Sequence, residues 1–263
     1  MWYNAVNYSN NSKYLLGGEK VRIQFEFTMT KLPIGYRLGM LSIIKEMVRS
    51  GSVNYYHHIF NENKHEIKPF VHSTYIKNIA LKENEIHGER LHLTISSPSH
   101  EFMMYLINGS KKLESYEYKG YKLVLKQKRL LPKPPEFTEL VTFSTASPLL
   151  IENKYGKPLL ANDPAFETEF NYYANLVATE LYQRKLFKPI EIVKSSMKKV
   201  VLKEKLHHDD DNDIFITTNH GLLTLKGHPN DLKMIYESGI GRRRSLGLGL
   251  LNIKGVDYSS WNK

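Results

Sequence analysis

Apolar and polar residues alternate strictly in the segment VRIQFEF, residues 21–27, with apolar side chains at every odd position. A period of two is typical of a strand with one buried and one solvated face. After the break at residues 33–35, apolar residues recur at helical spacing from Met40 to Val48, and Gly51 ends the predicted helix. The next segment, SVNYYHHIFNEN, predicts a second short helix or a loop.

The rest of the first half predicts two strands, a helix and a final strand. The segments are KPFVHSTYIKNIAL (68–81), EIHGERLHLTIS (85–96), SPSHEFMMYLINGS (97–110) and YEYKGYKLVLKQKRL (116–130). The resulting order, β-α-β-β-α-β, is the split βαβ of a ferredoxin-like fold, which RNA-recognition modules also use.

The pattern then repeats. The predicted elements are the strand ELVTFSTASPLLI, a helix from Asp163-Pro164, the strands EIVKSSMKKVVLKEKL and IFITTNHGLLTLKG, the helix PNDLKMIYESG and the strand LGLLNIKGV. We therefore predict an α+β protein with two tandem ferredoxin-like (RRM-like) modules. The first covers residues 20–130 and the second 138–263, with the Lys- and Pro-rich linker LPKPPEF at 131–137 and an extension of uncertain order at 1–19.

The chain has 263 residues and a formal net charge of +10, with 41% hydrophobic and 24% charged residues. Such a basic balance favours a polyanionic partner. There is no long apolar span, no signal-peptide pattern and no cysteine. Because no helix pairs a Lys/Arg face with an exposed apolar face, nucleic acid is favoured over a membrane surface. We expect a cytoplasmic protein without a cofactor.

Four glycines and three arginines stand close together in GIGRRRSLGLG, residues 239–249. The glycines Gly239, Gly241, Gly247 and Gly249 permit positive φ or a close approach to the main chain. The arginines Arg242, Arg243 and Arg244 match phosphate oxygens. The segment predicts either a backbone-lined cradle for RNA or a turn that lets a helix pack closely on a sheet.

This pattern, G-x-G-x5-G-x-G between the final helix and the final strand, resembles the CRISPR-associated repeat-RNA endoribonucleases of the RAMP superfamily (the Cas-six family). The resemblance spans roughly residues 20 to 257, and its specific part is the C-terminal loop. It implies cleavage of CRISPR precursor RNA within each repeat, without a metal, to give a 2′,3′-cyclic phosphate and a 5′-hydroxyl.

Metal-free cleavage of RNA needs a general base for the 2′-hydroxyl and a general acid for the leaving 5′-oxygen, and histidine suits both roles. In the family, the catalytic histidine lies between the first helix and the second strand. That window contains His58, our first choice, His57, our second, and His65. Lys68 corresponds to a phosphate-supporting lysine in some members, although the interval here is longer.

Some members also carry a tyrosine in the first helix. The matching stretch here, LSIIKE, has none, so Tyr36, Tyr55 or Tyr56 is a substitute. The histidines in strands or at a helix start, His72, His87, His92 and His100, are expected to be structural.

Two further clusters have competing interpretations. Lys194, Lys198 and Lys199 lie on a predicted strand, where lysines either contact RNA or protect a sheet edge. The run HHDDDND, 207–213, has metal-ligand chemistry, but consecutive acids between two strands are more typical of a solvated hairpin tip. We therefore expect no functional metal.

The expected partner is CRISPR repeat RNA, as precursor and as processed guide, with other effector-complex proteins as further candidates and the chain acting as monomer or homodimer. Three alternatives stay open at this point. They are a non-cleaving repeat-RNA-binding RAMP subunit, a metal-dependent nuclease that uses the 207–213 acids, and a small-molecule enzyme with a phosphate-binding loop.

Overall fold

The first half of the chain forms a five-stranded antiparallel sheet with two helices packed on one face. The computed structural model describes residues 22–83, 85–204 and 213–256. In chain order the elements are β1 (Arg22–Thr28), β2 (Lys31–Pro33), α1 (Arg37–Gly51), α2 (Val53–His57), a π-helical turn (His58–Glu62), β3 (Val71–Lys77), β4 (Ala80–Lys82), β5 (Glu85–His87), β6 (Arg90–Ser96), α3 (His100–Ser110), β7 (Ser115–Tyr118) and β8 (Tyr121–Leu130).

The second half repeats the arrangement with a four-stranded sheet. Its elements are β9 (Leu140–Thr145), α4 (Phe166–Tyr182), β10 (Glu191–Glu204), β11 (Ile214–Lys226), α5 (Pro229–Ser238), a 3-10 turn (Arg244–Leu246) and β12 (Leu251–Ile253). The strand order is β3-β6-β1-β8-β7 in the first sheet and β10-β11-β9-β12 in the second. Each β-α-β-β-α-β unit therefore has the order second-third-first-fourth, and the predicted tandem ferredoxin-like fold is confirmed.

Each module has its own hydrophobic core. The odd-numbered apolar side chains of β1 pack under α1 and α3, where the rings of Phe70 and Phe102 stack 4.8 Å apart. In the second module Phe143 packs with Phe166 and Phe170 of α4. The alternation in β1 and the helical spacing in α1 thus identified the buried faces correctly.

The polar face of β1 is also buried, so the prediction of a half-solvated strand was wrong. Arg22, Gln24 and Glu26 are 5%, 7% and 7% exposed. The second module covers part of this face. Arg22 donates hydrogen bonds to main-chain oxygens of Tyr236 and Leu251, and Ser96 Oγ donates to Glu237 O. Alternation within one strand cannot show that a distant segment covers its polar side.

Two smaller features also differ from the prediction. A third sheet, of order β2-β5-β4, lies beside the first module. The single strand predicted at 116–130 is instead the hairpin β7–β8, because Lys119 and Gly120 both have positive φ, 51° and 81°, as a tight hairpin turn requires. No helix in the described ranges is long and apolar enough to cross a membrane.

We expect Arg22→Ala to lower the free energy of unfolding by about 3 kcal/mol, since the carbonyls that it serves between the modules lose a buried donor. Urea unfolding followed by circular dichroism measures this loss. Lys31→Ala, which breaks the solvent-exposed pair with Glu85, is the control and should cost less than about 1 kcal/mol. Equal losses in the two variants would contradict the assigned role of Arg22.

Candidate functional site

A cleft of about 260 Å³ lies between the two modules. The segment before β3 contributes Lys64, Glu66, Ile67 and Lys68, helix α4 contributes Tyr173, Leu176 and Val177, and the glycine-rich loop contributes residues 241–245. The structure therefore brings the predicted Lys68 and the predicted arginine cluster to one place. These residues are more than 170 positions apart in the sequence, and the packing of the two modules brings them together.

The four glycines of the loop all have positive φ, between 69° and 89°, and all are buried. A Cβ at Gly249 would lie 1.9 Å from Ile240 O, and one at Gly247 would lie 2.7 Å from His72 Cε1. No side chain fits at these two positions without displacing its neighbours. The loop is thus a tightly packed element, as the close-packing interpretation expected. Of the four predicted glycines, Gly241 lines the cleft, whereas Gly239 packs against Val71.

The three arginines of the loop differ in exposure and in bonding partners. Arg242 is exposed, and its Nε lies 2.9 Å from Glu152 Oε2. The Arg243 side chain lines the cleft and makes no hydrogen bond or ion pair with any residue that the structure describes. Its charge acts on the buried carboxyl of Glu204, and its guanidinium forms no ion pair with a described residue that a phosphate would have to break.

Arg244 has a different environment from the one expected for a phosphate contact. It is 5% exposed and donates to Lys68 O at 3.0 Å and to Ser238 O. Main-chain carbonyls of both modules therefore engage its guanidinium. This geometry favours positioning of the Lys68 segment over direct contact between Arg244 and RNA.

His72 lies beneath the loop and is fully buried. Its Nε2 donates to Ser245 O at 3.2 Å, and its Nδ1 has no hydrogen-bond partner in the structure. Burial lowers the pKa of His72 to about 3, a shift that the bond to Ser245 O partly opposes and the charge of Arg37 assists. A neutral imidazole packed against Gly247 is consistent with the structural role expected for His72.

His58 and Lys68 meet at Asn63. Asn63 Nδ2 donates to His58 Nε2 at 3.3 Å, and Lys68 Nζ donates to Asn63 O at 2.5 Å. On the other side of the imidazole, His58 Nδ1 lies 3.1 Å from Glu62 Oε2. Because a carboxylate only accepts and an amide nitrogen only donates, His58 carries its proton on Nδ1, and the lone pair of Nε2 accepts the hydrogen bond from Asn63. This tautomer is the one that a general base requires.

The His57 side chain has other partners than His58. It is exposed, its Nδ1 is bonded to Asn61 Nδ2 at 2.6 Å, and its ring packs edge-on against Tyr56 at 5.6 Å. Consecutive helical residues lie about 100° apart around the axis. The geometry therefore favours His58 over His57.

Sequence reasoning missed three residues at this site. Glu62 stands four residues after His58 on the helix, a spacing that could have indicated a pair. Asn63 comes beneath His58 through the π-helical turn, in which Asn63 N donates to His58 O, and no pattern in the sequence signals that turn. Lys45 of α1 belongs to the stretch LSIIKE, and its Nζ lies 5.2 Å from the centre of the Phe60 ring.

The pKa values of Lys68 and Lys45 are both lowered. Partial burial lowers the pKa of Lys68, the charge of Glu66 opposes that shift, and the charge of Lys45 adds to it. Burial lowers the pKa of Lys45 as well. Two neighbouring lysines with lowered pKa values make this part of the site a basic environment suited to a phosphate group.

The remaining predicted residues lie outside the cleft. Lys194, Lys198 and Lys199 are exposed on β10, an edge strand of the second sheet, and RNA contact there stays a prediction. The extension at 1–19 and the acidic run at 207–212 lie outside the described residues. Asp213 is described and pairs with Lys203 at 2.8 Å. Within the described ranges, no three His, Asp or Glu side chains are grouped as metal ligands would be.

Comparison with known proteins supports the resemblance. Residues 131–253 match the family model described as "CRISPR associated protein Cas6, C-terminal". The chain is 24% identical over 243 residues to the CRISPR-associated endoribonuclease Cas6 1 of Methanocaldococcus jannaschii, covering 89% of this chain and 92% of that protein.

Solved structures agree in fold. A Cas6-related protein from Pyrococcus furiosus superposes with a TM-score of 0.74 at 19% identity, covering 91% of this chain and 100% of that one. A structure described as a RAMP protein binding different RNA substrates gives 0.72 at 18% identity, covering 89% and 99%. The chain shares with these structures the fold of two ferredoxin-like modules. The resemblance to the Cas-six family is confirmed, and the chain is a relative of the Cas6 proteins.

The low pKa of His72 predicts a pH-dependent stability. Between about pH 3 and pH 6.5 the histidine is neutral in the folded chain and protonated in the unfolded chain, so stability falls as the pH drops through this window. From pH 7 to pH 5 we expect the wild type to lose about 2 kcal/mol more than His72→Gln, which cannot titrate. Urea unfolding at the two pH values measures the difference. Parallel losses in the two proteins would contradict a neutral buried His72.

Proposed function

We propose that this protein is an endoribonuclease that cleaves CRISPR precursor RNA within its repeats. The observation that carries the proposal is the convergence of His58 and Lys68 at Asn63, beside a cleft whose other wall is the arginine loop. The net charge of +10 favours a polyanionic substrate. The curated relative from Methanocaldococcus jannaschii is named as a CRISPR-associated endoribonuclease.

In the proposed reaction His58 acts as the general base. Its Nε2 exchanges the hydrogen bond from Asn63 Nδ2 for one from a ribose 2′-hydroxyl and accepts the proton of that hydroxyl, and the 2′-oxygen attacks the adjacent phosphorus. Glu62 stabilises the imidazolium that forms, because its carboxylate accepts a hydrogen bond from the Nδ1–H of His58. The bond between phosphorus and the 5′-oxygen breaks. The products are a 2′,3′-cyclic phosphate and a 5′-hydroxyl, and the reaction needs no metal.

Lys68 is proposed to stabilise the negative charge that develops on the phosphate. Its Nζ is held by Asn63 O, and its main chain is held by Arg244, so the ammonium is positioned before the substrate binds. The lowered pKa of Lys68 also makes it a better proton donor to the leaving oxygen than an ordinary lysine.

The loop is proposed to hold the RNA backbone through Arg243 and Arg242, with Lys64 on the facing segment. Contacts of this kind supply affinity and salt dependence but carry no sequence information. Lys194, Lys198 and Lys199 would extend the basic surface along β10, outside the cleft.

His58→Ala should lower the cleavage rate by about 10²- to 10⁴-fold, the usual contribution of a general base, and Lys68→Ala should also lower it. His57→Ala is the matched control, since it removes the neighbouring imidazole, and its rate should stay within a few fold of wild type. The measurement is single-turnover cleavage of an end-labelled repeat RNA in EDTA, with analysis of the product ends.

Three results would oppose this assignment. Loss of cleavage in His57→Ala alone would transfer the role of base to His57. Tight binding without cleavage by the wild type would place the chain among non-cleaving RNA-binding subunits. Activity restored only by a divalent metal would favour a metal-dependent nuclease.

Arg243→Ala should weaken RNA binding to a similar extent for all sequences, because a phosphate contact reads no base. The slope of log Kobs against log salt concentration should fall by about 0.7, the value for one phosphate contact with a single strand. Filter binding at several salt concentrations measures the slope, with Lys31→Ala as the charge-matched control. An unchanged slope in Arg243→Ala would show that Arg243 makes no phosphate contact.

A further inference from the structure

Part of the cleft surface is apolar and offers no favourable contact to a phosphate. Beside the cationic residues, α4 and the Lys68 segment contribute Leu176, Val177 and Ile67, and the ring of Tyr173 adjoins them. Leu176 and Ile67 are half-buried, so part of each side chain is open to the cleft. Apolar surface of this kind gains free energy from covering by an apolar ligand and gains nothing from a phosphate.

The proposed chemistry creates such a ligand. Attack by the 2′-oxygen requires it to lie in line with the leaving 5′-oxygen, and a strand with stacked bases does not offer that alignment. A base beside the cleaved bond must therefore leave the stack. Enzymes that extrude a base receive it between aromatic and apolar side chains, where stacking and burial replace the contacts that the base has lost.

The apolar surface lies where such a base would arrive. Ile67 directly precedes Lys68, the proposed phosphate ligand, and both line the same cleft. Lys68 is joined through Asn63 to His58. A phosphate at Lys68 thus places a neighbouring nucleotide within reach of α4. Glu66, which also lines the cleft, provides a hydrogen-bond acceptor for the edge of a base.

We propose that this cleft is a binding pocket for an unstacked nucleobase next to the cleaved bond, with Leu176 and Ile67 as its apolar contacts. The inference rests on the proposed function and deepens it. It makes α4 of the second module a determinant of which nucleotide occupies that position in the RNA.

The test is an abasic scan of the repeat RNA, in which each nucleotide in turn lacks its base. Binding is measured in a His58→Ala background so that the RNA stays intact. We expect one abasic position to weaken binding about tenfold. In a protein that also carries Leu176→Ala, removing the base at that position should not weaken binding further, because the base has already lost its contact with Leu176.

Thr168→Ala is the matched control, because Thr168 lies on α4, is exposed and is not part of the cleft lining. It should retain the full abasic effect, and Ile67→Ala should remove it as Leu176→Ala does. The proposed pocket would be refuted if, at every position, the loss of binding caused by removing the base added to the loss caused by Leu176→Ala or Ile67→Ala.

Mapping the wild-type cut separates the inference from the function on which it rests. A coupled position that flanks the mapped cut supports both. A coupled position far from the cut overturns the placement of the base. Coupling without any cleavage by the wild type would support a base pocket and refute the nuclease.

Discussion

The geometry of the cleft depends on the buried guanidinium of Arg244. A buried charge is tolerated only when hydrogen bonds replace its lost water, and here the carbonyls of Ser238 and Lys68 do so. Ser238 is the last residue of α5, where unpaired helix carbonyls favour a cation. Since Lys68 belongs to the first module and Ser238 to the second, this side chain joins the two walls of the cleft directly.

The glycine-rich loop is held as firmly as the arginine that it carries. Its main chain donates from Arg242 N to Leu150 O and from Gly249 N to Pro148 O, both at 2.9 Å. These contacts are possible because glycine Cβ atoms are absent at the points of closest approach. The loop main chain is therefore a firmly held base from which the side chains of Arg242 and Arg243 reach the cleft.

The order of the elements could be predicted from periodicity, since β1, α1, α3 and α4 each bury the face that their apolar spacing marks. The glycine spacing and the HH doublet likewise indicated the two halves of the candidate site. The task of each arginine could not be predicted, because Arg242, Arg243 and Arg244 differ only in what the folded chain places around them. The buried polar face of β1 was missed for the same reason.

The π-helical turn at His58–Glu62 has a consequence for how this segment tolerates change in length. In α-helical register, residue 62 alone would lie beneath residue 58, and residue 63 would be rotated away around the axis. The wider turn, with Asn63 N bonded to His58 O, sets both Glu62 and Asn63 against the same imidazole, one on each ring nitrogen. Deletion of one residue between His58 and Glu62 would leave His58, Glu62 and Asn63 in the sequence. It would still remove one of the two side chains from contact with the His58 imidazole. The spacing of this turn is thus as much a part of the site as the residues that it carries.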